Sequence, residues 1–110
     1  MFGYRFLNDT YENPYYITIL IDVAKTLYET DSNILKRIAN SNYKYQYGTR
    51  IIFSSDSDNI NNPAEIAEDV YLETNFNREG IEGLIQYLLK EYSINEEMFK
   101  FIYYKSYWKQ

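Results

Sequence analysis

The spacing of apolar residues changes character along this chain, and that change limits the folds open to it. From Tyr16 to Tyr28 the spacing is helical. Tyr16, Leu20, Val23 and Leu27 share one face, with Ile17, Ala24 and Tyr28 beside it and Thr18, Asp22, Lys25 and Glu29 opposite. Between Tyr43 and Phe53 the period drops to two: Tyr43, Tyr45 and Tyr47 alternate with Lys44 and Gln46, and Ile51 and Phe53 continue the same parity. From Ile81 to Tyr92 it is helical again, through Leu84, Ile85 and Leu88. A helical period over more than three turns predicts an amphipathic helix, and alternation predicts a half-buried strand. Helices and strands in separate runs point to an α+β domain.

Punctuation residues refine the elements. Asn13-Pro14 reads as a cap followed by proline at the first helical position, giving a helix over 14–29. Asp31 or Ser32 caps a second, shorter helix carrying Ile34, Leu35 and Ile38. Residues 43–54 read as a strand with Gly48 as a bulge, and 70–74 as its antiparallel partner, together a central β-hairpin. Asn62-Pro63 repeats the cap-plus-proline signal and predicts one or two helical turns over 63–68. Asn77 opens a helix over 78–92, and Ser93-Ile94-Asn95-Glu96 matches a capping box for a last helix over 94–107. Residues 2–7 alternate loosely, as a short edge strand would. The expected architecture is one domain over 1–110, with two N-terminal helices, a central hairpin and two C-terminal helices.

With 110 residues, 45% of them apolar, the chain can bury a core of its own. It has no Cys and no His. Disulfides, thiolate nucleophiles, Cys-bound metals and the imidazole bases of most hydrolytic triads therefore fall away. No enzymatic role, cofactor or metal is expected. Asp56-Ser57-Asp58-Asn59 begins like a calcium loop, but an EF-hand needs an oxygen ligand, Gly and Glu where Ile60, Asn61 and Ala67 stand. No glycine-rich phosphate loop is present. The longest apolar stretch, 15–24, is interrupted by Thr18 and Asp22 and falls well short of the roughly 20 residues a bilayer requires. A cytoplasmic protein without a membrane segment is the expectation.

Charge is the most informative functional signal. Residues 54–83 hold eight acids against one base, a charge of −7, while the other 80 residues hold eight acids and ten bases, +2. The acidity is one block around the hairpin. Asp56, Asp58, Glu65, Glu68, Asp69 and Glu73 form the candidate surface for a basic partner, with Tyr71 as an aromatic anchor. The C-terminal segment contrasts with it: Lys100, Lys105 and Lys109 are interleaved with Phe99, Phe101, Tyr103, Tyr104, Tyr107 and Trp108. Tyr107 and Trp108 are candidate secondary contacts with a partner or in a homodimer. The same segment supports an alternative, a small nucleic-acid-binding protein that stacks bases on aromatic rings. A third alternative, a small enzyme using carboxylates and Tyr, requires a concave pocket containing at least two acids with perturbed pKa values.

The run Gly48-Thr49-Arg50-Ile51-Ile52-Phe53, the acidic loop after it, Asp69-Val70-Tyr71-Leu72-Glu73 and the following helix together resemble the small acidic immunity proteins of bacterial toxin systems, including contact-dependent inhibition. That resemblance implies a non-catalytic inhibitor that neutralises a basic nuclease toxin by covering its active site. Phage-encoded anti-CRISPR proteins are similar in size and acidity, and likeness to them implies an anti-defence inhibitor of a nucleic-acid-handling complex. In both cases the partner is a basic protein, and direct nucleic-acid binding is not expected.

Overall fold

A computed structural model describes residues 2–44 and 48–103. Among these residues the order is β1 (Gly3–Phe6), β2 (Asp9–Glu12), α1 (Tyr16–Thr30), α2 (Ser32–Asn40), β3 (Phe53–Ser54), β4 (Pro63–Ala67), β5 (Val70–Glu73), α3 (Arg78–Glu91) and β6 (Phe99–Ile102). Short 3₁₀ turns occupy Ser57–Asn59 and Glu96–Met98. The strands form two antiparallel three-stranded sheets, β2-β1-β6 and β3-β5-β4. The α+β class is as the sequence indicates.

Helix α1 is central, packing on α2, α3, β1 and β4. Its Ile19, Leu20, Val23, Ala24 and Leu27 are fully buried. They join Tyr4 and Phe6 of one sheet, Phe53 and Leu72 of the other, and Leu84, Ile85 and Leu88 of α3 in one core. Asn13 acts slightly differently from a simple helix cap. Its Oδ1 accepts bonds from the Tyr15 backbone N–H (3.1 Å) and the Thr18 hydroxyl (2.7 Å), so the helix starts at Tyr16, just past Pro14. Asp31 joins the helices as expected, ending α1 through its own N–H and capping α2 through its carboxylate. Asn77 caps α3 by accepting the Gly80 N–H at 2.8 Å.

Three local expectations are corrected. Residues 63–68 are not helical turns but strand β4. Asn62 is drawn into bonding Glu73, and Pro63 takes the first position of an edge strand, where a missing N–H is tolerated. Residues 43–54 are not one strand. Lys44 bridges antiparallel to Ile51, and the Ile52 N–H donates to the Tyr43 carbonyl, so the chain reverses between these arms; Tyr45 and Tyr47 lie outside the described residues.

The third correction concerns 94–107, of which 104–107 lie outside the described residues: over 94–103 the helix is replaced by a 3₁₀ turn and β6. Ser93 ends α3 instead of starting a new helix. It adopts φ 55°, while Ile94 N–H bonds the Leu89 carbonyl and Ser93 N–H bonds that of Lys90. That is the two-bond Schellman termination. The next residues then pair with β1, placing Phe99 opposite Phe6 and Phe101 opposite Tyr4.

The β1–β2 hairpin turns through Leu7 and Asn8 alone, at φ 52° and 74°. Positive φ at both central residues is what a tight type I′ hairpin requires. Gly3 permits the close approach of β2, since a Cβ there would collide with the Tyr11 carbonyl oxygen.

Candidate functional site

The acidic block becomes one surface through the β4–β5 hairpin. Its turn is Glu68-Asp69, with Asp69 in the left-handed region at φ 61°, a conformation Asp tolerates better than most residues. Tyr71 on β5 stands opposite Glu65 on β4 and Ser54 on β3, so these three positions share a face. Alternation sends Val70 and Leu72 into the core. A register irregularity between Glu65 and Ala67 interrupts the pairing near the tip. The Tyr71 hydroxyl is held above its ordinary pKa, first by desolvation and then by the carboxylates of Glu65, Asp69, Asp56 and Glu68. Glu65 pairs directly opposite Tyr71 in the sheet, and four of the six acids singled out in the sequence act electrostatically on its hydroxyl.

Asp56 and Asp58 sit on the loop after β3. The Asp56 carboxylate accepts the Asp58 N–H at 2.9 Å, which fixes the 3₁₀ turn. Beneath it lies Ser54, fully buried. Its Oγ donates to Asn42 Oδ1 (2.7 Å) and accepts from the Asp56 N–H (3.1 Å) and Asn59 Nδ2 (3.2 Å). The acidic loop is therefore anchored by a satisfied polar group and is held in place on the sheet.

Glu73 belongs to the scaffold rather than the surface. Its relative exposure is 0%. One carboxylate oxygen accepts the Asn62 N–H (3.3 Å); the other accepts Asn62 Nδ2 (3.2 Å) and the Asn75 N–H (2.9 Å). Burial pushes its pKa upward, but these donors and the Arg50 charge outweigh it and hold the carboxyl below its ordinary value. Arg50 itself donates to the Asn75 carbonyl (3.1 Å) and lies 4.8 Å from the Phe76 ring centre. Ser54 is the supporting residue that sequence reasoning did not assign. Asn62, read from the sequence as a helix cap, bonds Glu73 instead, and Arg50, read as pairing with one of the nearby acids, lowers the pKa of that carboxyl.

The remaining acids of the patch are exposed and uncompensated. The two ion pairs among the described residues, Arg37–Glu91 at 3.2 Å and Arg78–Glu82 at 3.0 Å, involve none of them. Beside the hairpin tip, a cavity of about 280 Å³ is lined by Tyr28, Lys36, Asn40, Glu68 and Asp69. Glu65 is not part of its wall. A larger cavity of about 670 Å³ on α3 is lined by Tyr43, Gln86, Tyr87, Lys90 and Glu96 among others, and none of the predicted acids reaches it.

Tyr107 and Trp108 lie outside the described residues. Of the C-terminal aromatics that are described, Phe99 and Phe101 pack on the core side of β6. Phe99 lies 5.8 Å from Tyr4, and Phe101 lies 5.1 Å from Tyr16. Tyr103 accepts a 2.8 Å bond from Arg78 and pairs with the Tyr16 hydroxyl at 3.2 Å. These rings are engaged within the protein. Among the described residues no group of three His, Cys, Asp or Glu is placed to hold a metal ion, and no helix is long and apolar enough to cross a membrane. No protein-family model, curated protein or solved structure matches the chain.

Proposed function

We propose that this protein is a non-catalytic inhibitor that binds a basic partner through the acidic face of the β4–β5 hairpin, as an immunity protein covers a nuclease toxin. One observation carries the reading: Glu65 pairs opposite the half-buried Tyr71 on a hydrogen-bonded sheet, Asp56, Glu68 and Asp69 stand on the adjoining loop and turn, and none of these four acids has an ion-pair partner among the described residues. Asp58 extends the same loop, while Glu73 supports the sheet from within.

Clustered carboxylates raise the encounter rate with a cationic surface and occupy the sites that would otherwise hold phosphate. A half-buried tyrosine among them offers apolar contact area of the kind that dominates interface energies. The notch beside the hairpin tip, lined by Tyr28, Lys36, Asn40, Glu68 and Asp69, sets two carboxylates against one ammonium group. In this mechanism the inhibitor occludes the partner's nucleic-acid site.

The test is capture from host lysate on the tagged protein at low salt, elution at high salt and identification of the eluate. A variant with Asp58→Lys, Glu65→Lys and Glu68→Lys is run in parallel. The expected result is a basic nuclease or nuclease complex retained by the wild-type protein and lost from the variant. Identical proteins on both columns, or recovery of nucleic acid alone, overturns the proposal.

A further inference from the structure

We propose that two copies of this protein associate through the open edge of β2, so that the β2-β1-β6 sheet continues across a two-fold axis as six strands.

The backbone pattern defines what that edge offers. With Leu7 and Asn8 as a two-residue turn, Phe6 and Asp9 close the hairpin as a bonded pair. The pattern alternates through Tyr4 and Tyr11 and is met again where the Asn13 N–H donates to the Phe2 carbonyl at 3.0 Å. On the other side of β1, the Leu7 N–H donates to the Met98 carbonyl at 3.0 Å, in the phase that pairs Gly3 and Arg5 with β6. Asp9, Tyr11 and Asn13 therefore direct their amide groups inward. Thr10 and Glu12 direct theirs to the outer edge, where no described strand lies.

Natural edges are normally guarded by short length, charged side chains, Pro, a bulge or a covering element. β2 is four residues long and carries Asp9 and Glu12, but it contains no Lys or Pro, its pairing to β1 has no register shift, and all four residues are exposed. An independent feature points to the same place. Three large apolar side chains are exposed among the described residues: Tyr11 (39%), Tyr15 (67%) and Tyr103 (42%). Tyr11 stands on this strand and Tyr15 three residues beyond it.

The register selects a second copy as the occupant. Outward amides at Thr10 and Glu12 allow an antiparallel dyad through Tyr11, in which Thr10 of each copy exchanges two bonds with Glu12 of the other, four in all. A dyad through Thr10 would draw the Asn8 turn residue into the ladder. One through Glu12 would oppose two carboxylates and require an N–H from Pro14, which has none. In the Tyr11 register the row Phe101, Tyr4, Tyr11 meets its own mirror row, and the Tyr4–Tyr11 stacking at 4.8 Å continues across the axis.

Charge fits as well. Arg5 is exposed, stands opposite Thr10 and has no ion pair among the described residues. In the dimer, Glu12 of the second copy lies beyond Thr10 in the same row, two strand spacings or about 10 Å from the Arg5 backbone. The two long side chains can span that gap over the short threonine, in competition with the protomer's own Glu12, which stands diagonal to Arg5 through its pairing with Gly3. Each protomer contributes its one β2 edge, so the assembly closes at two.

The test is sedimentation equilibrium of the full chain over a wide concentration range, with hydrogen exchange of the Thr10 and Glu12 amides. The expected result is a monomer–dimer equilibrium, with both amides protected as concentration rises. Thr10→Pro deletes an outward N–H and should weaken association by roughly tenfold or more. Glu12→Arg should also weaken it, and Arg5→Glu with Glu12→Arg should restore it. Circular dichroism reports whether the Thr10→Pro protein folds; if it does not, the charge swap and its rescue decide alone. A protein that stays monomeric throughout, forms open-ended polymers, or dimerises with Glu12→Arg unchanged overturns the proposal.

Discussion

The two sheets have the same size and the same antiparallel pairing, yet different forces hold them. In β2-β1-β6 the adhesive is aromatic: Tyr4 stacks on Tyr11 and Phe99, and Phe6 meets Phe99 edge-on at 6.1 Å. In β3-β5-β4 apolar residues fill the inner face, but the ends of the strands are tied by buried polar groups, Ser54 and Glu73. A ring in a core needs only to exclude water. A buried carboxylate needs every oxygen satisfied and its proton removed. The first sheet is therefore sensitive to lost volume and to alkali, and the second to lost donors and to acid.

The largest expected effect comes from the first sheet. Phe6→Ala should lose about 3–5 kcal/mol of stability, because a nearly fully buried ring is replaced by a cavity. Urea unfolding measures it, and a loss below about 1 kcal/mol would mean that the aromatic sheet is peripheral to the fold. Glu73→Ala should destabilise by about 1–3 kcal/mol, since three partly buried hydrogen bonds from Asn62 and Asn75 lose their acceptor. A neutral outcome would show that water replaces the carboxylate and would erase the contrast between the sheets.

The pH limbs sharpen the comparison. The Glu73 carboxyl titrates below its ordinary value in the folded protein, so the stability it confers is complete above the unfolded value of about 4.3 and is lost as pH falls through the lower folded value. Glu73→Gln should flatten this acid limb in denaturation curves taken across it. Tyr4 behaves in the opposite sense. Burial first, and then the Asp22 carboxylate and Tyr11, push its pKa up to about 12. Stability is unaffected by Tyr4 below its unfolded value of about 10 and falls as pH rises from there towards 12. Tyr4→Phe should remove one late-titrating phenol from the ultraviolet absorbance titration. Loss of an early-titrating phenol instead would contradict its burial.

The smallest effect falls on the outward face of the second sheet. Glu65→Lys should change stability by no more than about 0.5 kcal/mol, and in the stabilising direction, because an unpaired acid among like charges is replaced. The same substitution should weaken partner binding, and more so at low salt, where screening is least. A large loss of stability would assign Glu65 to the scaffold with Glu73.

The helices were legible because a period of 3.6 over four turns has one explanation, and Asp31 and Asn77 cap where the sequence places them. The last element was misread because Met98, Phe101 and Ile102 match helical spacing as well as the strand alternation of Phe99 and Phe101. Pairing with β1, more than ninety residues away in sequence, decides between them. The acidic block was legible as charge, and its position on the β4–β5 hairpin and the loop after β3 follows from the fold. Glu73 could not be separated from its neighbours, because a carboxylate has the same sequence signature whether it faces solvent or a ring of donors.

The sequence by itself determined the class of fold, the two long helices, the length of chain that carries the acid, and the chemistries removed by lacking Cys and His. Those properties are local or compositional, set by side-chain period and residue inventory. Tertiary structure decided that 63–67 and 99–102 are strands, that Glu73 is buried among its donors, and that no described strand covers the outer edge of β2. Each of these depends on which segment lies alongside which. The β1–β6 pairing is fixed by burying one common core across more than ninety residues, and the β4–β5 hairpin, though local, is decided by its packing on α1 and β3.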